Sequence, residues 1–373
     1  MSKLPLEGLT ILDCTSVVMG PYATSLLADL GADVIKIEPP GGDIGRAIGP
    51  RAADGLSALS LRLLRNKRST VLDLSHAGDY RQFADLVARA DAVVTNIRPS
   101  ARDRLGLDYE SLRALRGDIV LCTAQAFSSC SARRDVPAYD DTVQALSGMS
   151  DTYRLRDGEP AFAPSVIADK VCGILMALAT LSALFARARD GEGQWVDVPM
   201  VDNMAAFNLV EHLAGFTFIP PDGDAGWPRS LSPHRRPHAA RDGWACVMPY
   251  TDEDWRKFLV LAQRIDLVET DRFATAANRN EHDDEAQSVI AEFVAARSVR
   301  EIITDCASIG VACAEVRTLE SLLKDDYLAS RGVIEEAVHP EAGPYQSVRL
   351  PFDFSRTPIG HRSPAPSLDT DRR

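Results

Sequence analysis

An aspartate at the head of an apolar helix is the first candidate for chemistry. Asp169 precedes Lys170 and the uncharged stretch of residues 171–186. An aspartate in this place usually caps the helix, and spacing alone favours that role. A second role is open, because the helix dipole and the free N–H groups keep such a carboxylate ionised. An ionised carboxylate beside an electrophilic carbonyl can act as a nucleophile.

Two basic clusters adjoin predicted strands and could bind phosphate. Loops at the carboxyl ends of parallel strands bind ligands, and arginine forks fit phosphate oxygens. Spacing alone favours the simpler interpretation, a solvated basic face. The first cluster, before a predicted strand at 70–74, is Arg62, Arg65, Lys67 and Arg68; the second, after a predicted strand at 92–95, is Arg98, Arg102 and Arg104.

Several common motifs are absent from the sequence. The first strand leads into TSVVMGP without the Gly-x-Gly-x-x-Gly spacing of dinucleotide-binding proteins, and there is no Gly-x-x-x-x-Gly-Lys loop. The chain also lacks a His-Glu-x-x-His pair and a Gly-x-Ser-x-Gly elbow. We therefore expect no metal site and no permanently bound cofactor.

Composition restricts the partners and the compartment. Acidic residues outnumber basic ones by 53 to 41, giving a net charge of −12, so we expect no binding to nucleic acid or to anionic membranes. The cysteines number 7 and show no zinc or thioredoxin spacing, which favours a reduced cytoplasm. Residues 171–186 are too short to span a membrane and predict a buried helix, and the N-terminus shows no secretory signal.

Strand-like and helix-like segments alternate through the first half of the chain. This alternation predicts an α/β fold with a doubly wound parallel sheet. The predicted strands are residues 10–14, 33–37, 70–74, 92–95, 119–124 and 194–199; the predicted helices are 21–30, 79–90, 109–116, 169–187 and 201–215.

Composition changes near residue 220 predict further domains. Residues 1–200 form the predicted large domain, and residues 201–225 form a linker helix and loop. A smaller α+β domain is predicted at 226–325, with a strand at 244–248 and helices at 252–263, 283–296 and 299–309. The proline-rich residues 326–373 are predicted to form a strap that returns to the large domain.

These motifs together resemble the class III CoA-transferases, the CaiB/BaiF family. The resemblance runs nearly end to end, and each piece is weak alone but strong in this order. The matching pieces are LEGL at residue 6, DCT at 13, LADLGADVIKIE at 27, NKRS at 66, NIRP at 96, RLGL at 104, QALSG at 144, Asp169 with Gly173, GEGQWVDV at 191, and residues 310–316 and 325–331.

The resemblance implies roles for particular residues. The family's catalytic aspartate precedes a glycine by four positions, which matches Asp169. Residues at five places fall where the family contacts CoA, so the basic clusters gain a ligand. These residues are Val18 and Met19; Leu72 to Ser75; Asn96, Ile97 and Arg98; Arg104; and the loop 136–139, which includes Tyr139. The family also forms an interlocked homodimer of ring-like chains.

Three departures from the family pattern stand out. The family's glycine-rich stretch is replaced by FSSCS at residues 127–131, which predicts a stiffer or differently placed loop over the thioester. Tyr139 stands where the racemase branch has a histidine, which favours transferase over racemase. The family's C-terminal helix is cut short after Pro366, which predicts either weaker dimer contacts or a weaker return from the second domain.

The resulting hypothesis is an enzyme that moves CoA from an acyl-CoA to a small carboxylic acid. Asp169 would form an aspartyl anhydride and then an aspartyl-CoA thioester, with acyl-CoA as substrate rather than as a resident cofactor. Two alternatives stay open: a 2-methylacyl-CoA racemase or epimerase, and a CoA-binding protein without turnover.

Overall fold

The computed structural model describes residues 4–369. The strands are β1 (Thr10–Cys14), β2 (Asp33–Glu38), β3 (Arg51–Ala53), β4 (Leu56–Ser57), β5 (Lys67–Val71), β6 (Ala92–Thr95), β7 (Val120–Thr123), β8 (Trp195–Asp197), β9 (His238–Ala239), β10 (Trp244–Met248), β11 (Ala312–Glu315), β12 (Ile334–His339) and β13 (Gly343–Val348). The helices are α1 (Met19–Asp29), α2 (Ala58–Leu63), α3 (Ala77–Val87), α4 (Pro99–Arg104), α5 (Tyr109–Leu115), α6 (Asp140–Leu146), α7 (Met149–Asp157), α8 (Ile167–Asp190), α9 (Met200–His212), α10 (Pro228–Leu231), α11 (Asp252–Leu261), α12 (Ile265–Val268), α13 (Asp271–Ala274), α14 (Ala276–Glu281), α15 (Asp283–Ala295), α16 (Val299–Ile309), α17 (Leu319–Leu322) and α18 (Asp326–Ser330).

Contacts divide the described chain into two units. Unit 1 comprises residues 4–149, 162–208 and 325–369, and unit 2 comprises residues 150–161 and 209–324. The division differs from the predicted one at two places. Residues 150–161 belong to unit 2, although the sequence analysis includes them in residues 1–200, and the boundary at residue 208 lies inside α9.

A six-stranded sheet forms the centre of unit 1. Its strand order is β5-β2-β1-β6-β7-β8, and every neighbouring pair is parallel. Successive residues of one strand serve opposite faces, as in β1, where Ile11 packs with α1 and α8, and Leu12 packs with α3 and α5. The predicted α/β fold with a parallel sheet covered on both faces is confirmed.

The third predicted strand of the sheet is displaced along the chain. It was expected at residues 70–74, but β5 runs from Lys67 to Val71. The apolar run marked the wrong bounds because the strand begins with a buried cation: Lys67 is 3% exposed and pairs with Asp13. A buried charge can occupy a core position when it is paired, and a search for apolar runs does not detect such a position.

Helix α8 is buried along one face only. Ala168, Cys172 and Met176 are fully buried in the core of unit 1. On other faces Ile174 and Leu178 are about half exposed, and Phe185 is 73% exposed. The predicted buried helix is therefore only partly correct. By length and composition α8, with a mean hydropathy of 1.9 in its most apolar window, could cross a membrane; 39% of that window is buried.

Unit 2 has its own core around an antiparallel sheet. The order is β11-β10-β9, and α11, α15 and α16 contribute the buried side chains that pack with it. Phe258 contacts Trp255 and Phe293 edge to face, at ring-centroid distances of 5.9 and 5.2 Å. This is an α+β arrangement.

The last described segment belongs to unit 1 and contacts its N-terminal half. The amide of Asn66 receives hydrogen bonds from the backbone N–H groups of Arg362 (2.7 Å) and Ser363 (3.0 Å). Arg46 donates to the carbonyl of Pro366 at 3.0 Å. The predicted shortened C-terminus includes residues 370–373, which lie outside the described part of the chain.

Candidate active site

The loop after β1 is held rigidly at the carboxyl edge of the sheet. Ser16 exchanges two hydrogen bonds of 2.9 Å with the side-chain amide of Asn96, and the backbone N–H of Val17 donates to Asp43 at 3.1 Å. Val17 has a φ of 68°, a strained conformation for a β-branched residue that persists only where surrounding contacts enforce it. These bonds fix the backbone that leads to Val18 and Met19.

A buried ion cluster lies beneath this loop. Asp13 is fully buried, with its carboxylate 2.9 Å from the ammonium of Lys67 and 3.5 Å from that of Lys36. Burial alone raises the pKa of Asp13, but the two ammonium groups outweigh it and hold that pKa well below its usual range. Lys36 also donates to the carbonyl of Thr15, so the cluster anchors the loop.

The first basic cluster is mostly engaged inside the protein. Arg65 is buried against Asp29, Lys67 against Asp13, and the half-exposed Arg68 pairs with Asp33 at 2.6 Å. Burial, and then the charge of Arg65, lowers the pKa of Arg62 to about 10. Arg65, Lys67 and Arg68 therefore have carboxylate partners within unit 1, whereas Arg62 lines a cavity of that unit and one of its terminal nitrogens is buried without a partner in the described part of the chain.

Asp169 occupies the first turn of α8 but does not cap the helix. The N-cap is Val166, and Asp169 is the third residue of the helix and is half buried. Burial, and then the nearby Asp140 carboxylate, raises the pKa of Asp169 to about 6. Desolvation and a like charge thus act on this carboxyl against the helix dipole, which favours the ionised form. The carboxylate is still mostly ionised at pH 7.

Asp140, which sequence reasoning missed, positions the start of α8. Its Oδ1 accepts a 2.9 Å hydrogen bond from the backbone N–H of Asp169, and its Oδ2 accepts one of 2.6 Å from Gln144. Gln144 in turn accepts a 2.9 Å bond from the N–H of Ala163, just before α8. The signal that the sequence offered was the position of Asp140 directly after Tyr139, a residue already assigned to the CoA-contacting loop. In the structure Tyr139 is 79% exposed.

Close packing of α1 and α8 brings the loop after β1 to the first turns of α8. Gly173 makes this possible: a Cβ there would lie 2.8 Å from the carbonyl oxygen of Met19 and 3.0 Å from the ring of Tyr22. Val18, Tyr22, Val166 and Lys170 line one cavity of about 370 Å³ in unit 1. The predicted pair of Asp169 and Gly173 thus has a packing reason in this fold.

The other predicted CoA-contacting residues lie on two sides of this loop. Leu72 is buried and Ser75 is exposed just after β5, where Ser75 donates to Asp73. Asn96, Ile97 and Arg98 follow β6, and Asn96 braces Ser16 as described above. The loops after β1 and β6 meet where the strand order reverses, the usual ligand site of such sheets. β5 lies three strands from β6, or about 14 Å.

Two of the three arginines in the second basic cluster face solvent. Arg98 is exposed and donates to the carbonyl of Asp135 at 3.3 Å; Arg104 is exposed at the end of α4, with no ion pair to the part of the chain that the structure describes. Arg102 is buried under Trp195, 5.5 Å from the ring centroid. Arg98 and Arg104 are therefore available to an anionic ligand, whereas the buried Arg102 is not.

The loop at residues 127–131 is tied to the sheet. The carboxylate of Asp197 accepts hydrogen bonds of 2.8 Å from the backbone N–H of Ser129 and of 2.8 Å from Gln125, and Arg133 stacks 3.8 Å above Phe127. That the loop at residues 127–131 lies over a bound thioester stays a prediction. Across residues 4–369 no group of three or more His, Cys, Asp or Glu side chains is arranged to hold a metal ion.

Sequence and structure comparisons match this chain to one family. The profile of CoA-transferase family III covers residues 6–372. The chain is 31% identical to a succinate–glutarate CoA-transferase of Agrobacterium fabrum, over 98% of this chain and 93% of that protein. It is 39% identical to an acetyl-CoA:oxalate CoA-transferase of Acetobacter aceti, over 55% of this chain and 53% of that protein. A CaiB/BaiF family protein of Brucella suis matches with a TM-score of 0.83 and 27% identity, over 99% of this chain and 97% of that one.

Proposed function

Because the chain belongs to CoA-transferase family III, we propose that it moves CoA from an acyl-CoA thioester to a small carboxylic acid, with Asp169 as nucleophile. One observation carries the assignment. A half-buried carboxylate with a pKa of about 6 lies in the first turn of α8, and α8 packs on the helix that follows the β1 loop. The relatives named above act on CoA thioesters and carboxylates such as succinate and oxalate.

The proposed reaction consists of four acyl transfers. The Asp169 carboxylate attacks the thioester carbonyl, and the C–S bond breaks to give a mixed anhydride and CoA thiolate. The thiolate attacks the aspartyl carbonyl of the anhydride, which releases the donor acid and leaves an aspartyl-CoA thioester. The acceptor carboxylate attacks that thioester, and the released thiolate then attacks the acceptor acyl carbon. Asp169 is regenerated as a carboxylate, and no net proton is consumed.

Each tetrahedral oxyanion needs a preorganised donor, which is worth about 3–4 kcal/mol when it is well placed. Helix α1 begins at Met19 directly after the braced loop, and the first N–H groups of a helix have no intrahelical acceptor. We assign the donor role to these N–H groups. The bonds that fix Ser16 and Val17 support the assignment, because preorganisation requires a backbone that does not move.

We also propose that acyl-CoA binds with its phosphates at Arg98 and Arg104, and that two copies form a homodimer in the cytoplasm. The apolar residues left exposed on α8, Ile174, Leu178 and Phe185, support a partner surface, since exposed large apolar patches commonly mark interfaces.

Mass spectrometry of the intact protein tests the proposed function. The enzyme is incubated with a panel of acyl-CoA thioesters without acceptor, quenched, and examined for a covalent CoA adduct. Hydroxylamine or borohydride trapping then locates the label. We expect it on Asp169, and loss of the label in Asp169→Ala but not in the matched variant Asp141→Ala, an exposed aspartate of α6. A label on another carboxylate, or unchanged turnover in Asp169→Ala, would refute the assignment.

A further inference from the structure

Unit 2 contains a basic pocket whose lining includes none of the residues assigned above to the reaction or to CoA. Its volume is about 370 Å³, within the range of small-molecule sites. It lies between β10, the segment around α10, and helices α14 and α15. The side chains of five arginines line it: Arg156, Arg229, Arg235, Arg236 and Arg279. Such a concentration of cations is notable in a chain whose net charge is −12.

Two of these arginines are neutralised by neighbouring carboxylates. Arg156 pairs with Asp157 at 2.6 Å, and the buried Arg279 pairs with Asp252 at 2.5 Å. The other three, Arg229, Arg235 and Arg236, form no ion pair with any residue in the described ranges 4–369. The Nε atom of Arg235 is buried without a hydrogen-bond acceptor. Arg235 as a whole is partly exposed, but its buried N–H lacks an acceptor, which is costly, and an anionic ligand in the pocket would supply one.

The lining residues contribute a single carboxylate. Asp283 accepts a hydrogen bond from Ser232 and one of 3.4 Å from Gln287, so it already has partners within the unit. Three unpaired guanidinium groups against one carboxylate leave a surplus of two positive charges in the pocket. A ligand with two negative charges matches that surplus.

The walls of the pocket are partly apolar and aromatic. The guanidinium of Arg229 lies 4.8 Å over the ring of Tyr250 and contacts the sulfur of Met248 at 3.5 Å, which holds its orientation. Trp255, Val247 and Ile290 also line the pocket. A ligand with a short hydrocarbon body fits these walls better than a bare inorganic ion, which buries no apolar surface.

We propose that this pocket binds a small dicarboxylic acid. The choice of a carboxylic acid as the anion rests on the proposed function, in which the acceptor is a carboxylic acid. The charge and the size of the ligand rest on the pocket itself. The arginines hold the carboxylates by charge-assisted hydrogen bonds, and the apolar walls contact the carbon chain.

Calorimetric titration of the full-length protein tests the pocket. The probes are succinate, glutarate, propionate and inorganic phosphate. We expect succinate or glutarate to bind more tightly than propionate and phosphate. The dissociation constant should rise about tenfold or more in Arg235→Gln and in Arg236→Gln, since each removes a charge-assisted contact. Arg300→Gln, the same change on the exposed face of α16, is the matched control and should leave it unchanged.

Each alternative result overturns the proposal. Equal dissociation constants in wild type and both pocket variants would place the acid elsewhere, and phosphate binding as tight as succinate binding would show a general anion site. Arg236 is exposed, so its variant is expected to fold like wild type, which its thermal unfolding midpoint checks.

The pocket and the proposed function can fail separately. Formation of the Asp169–CoA adduct from acyl-CoA alone needs no acceptor acid and should persist in Arg235→Gln. Dicarboxylate binding should likewise persist in Asp169→Ala. An adduct without arginine-dependent acid binding refutes the pocket alone, and acid binding without an adduct refutes the nucleophile alone.

Discussion

The backbone N–H of Asp169 donates a 2.9 Å hydrogen bond to the carboxylate of Asp140, so the group that orients the start of α8 also places a second negative charge near the Asp169 side chain. Burial and this like charge together raise the pKa of Asp169 to about 6. Asp140 thus affects the candidate nucleophile in two ways: it fixes the position of the Asp169 backbone, and its charge raises the pKa of the Asp169 side chain.

The first prediction concerns the pH dependence of adduct formation. Only the carboxylate form of Asp169 attacks, so the rate should fall below about pH 6 and then by about tenfold per pH unit. Asp140→Asn keeps a hydrogen-bond acceptor for the Asp169 N–H but removes the like charge, so the midpoint should move to lower pH. Single-turnover rates from pH 4 to 8 measure this. Asp141→Asn is the control, and an unmoved midpoint in Asp140→Asn would exclude the electrostatic role.

The second prediction is that Asp169 costs stability at neutral pH. A carboxyl whose folded-state pKa lies above its unfolded value of about 3.8 binds more protons when folded, so its contribution falls as pH rises from about 4 to about 6. Asp169→Asn should therefore be more stable than wild type at pH 7.5, by up to about 3 kcal/mol since each pKa unit is worth about 1.4 kcal/mol. The difference should shrink to about 0.5 kcal/mol at pH 4 and vanish below the unfolded pKa. Urea unfolding at both pH values checks this; a less stable variant at pH 7.5 would contradict it.

The third prediction concerns the contact between α1 and α8. Gly173→Ala places a Cβ 2.8 Å from the Met19 carbonyl, and backbone must move to accept it. We expect a loss of about 1–3 kcal/mol in unfolding free energy and a lower kcat/KM for acyl-CoA. Gly78→Ala in α3 is the control, because a Cβ there meets nothing within 4 Å and should be neutral or slightly stabilising. Equal effects of the two variants would show that the contact is unimportant.

The fourth prediction concerns CoA phosphates. Arg104 is exposed without an ion pair among residues 4–369, and a charge-assisted contact is worth about 1.5–3 kcal/mol. Arg104→Ala should raise the dissociation constant of CoA about tenfold or more by calorimetry. Arg113→Ala, an exposed arginine of α5, should leave it unchanged. An Arg104→Ala protein that binds CoA like wild type would reject the contact.

The fifth prediction is that the enzyme does not racemise 2-methylacyl-CoA at a useful rate. Exchange of the α-proton on both faces needs two acid/base groups, and Asp169 can serve one side. A histidine titrates near neutral pH, whereas a tyrosine ordinarily stays protonated there, so Tyr139 is a poor second base. Incubation of a chiral 2-methylacyl-CoA in deuterated buffer measures exchange. Rapid deuterium uptake with loss of optical purity, abolished in Tyr139→Phe, would favour the racemase branch.

Much of the fold followed from local patterns in the sequence. The strands at Thr10–Cys14, Ala92–Thr95 and Trp244–Met248 were predicted to the residue, because apolar runs bounded by turn residues report burial directly. The alternation of strands and helices determined the parallel sheet. Asp169 and Gly173 were found from their spacing and from the family resemblance, and these are properties of a single segment.

The tertiary structure decided which charged residues are available for chemistry. Arg65 and Lys67 look like ligand-binding residues in the sequence, but Asp29 and Asp13, each more than 30 residues away along the chain, neutralise them in the core. Asp140 gained its importance in the same way, from a contact with Asp169 across 29 positions. The cost of a buried charge and the pKa of a carboxyl depend on neighbours in space, and only the folded chain determines those neighbours.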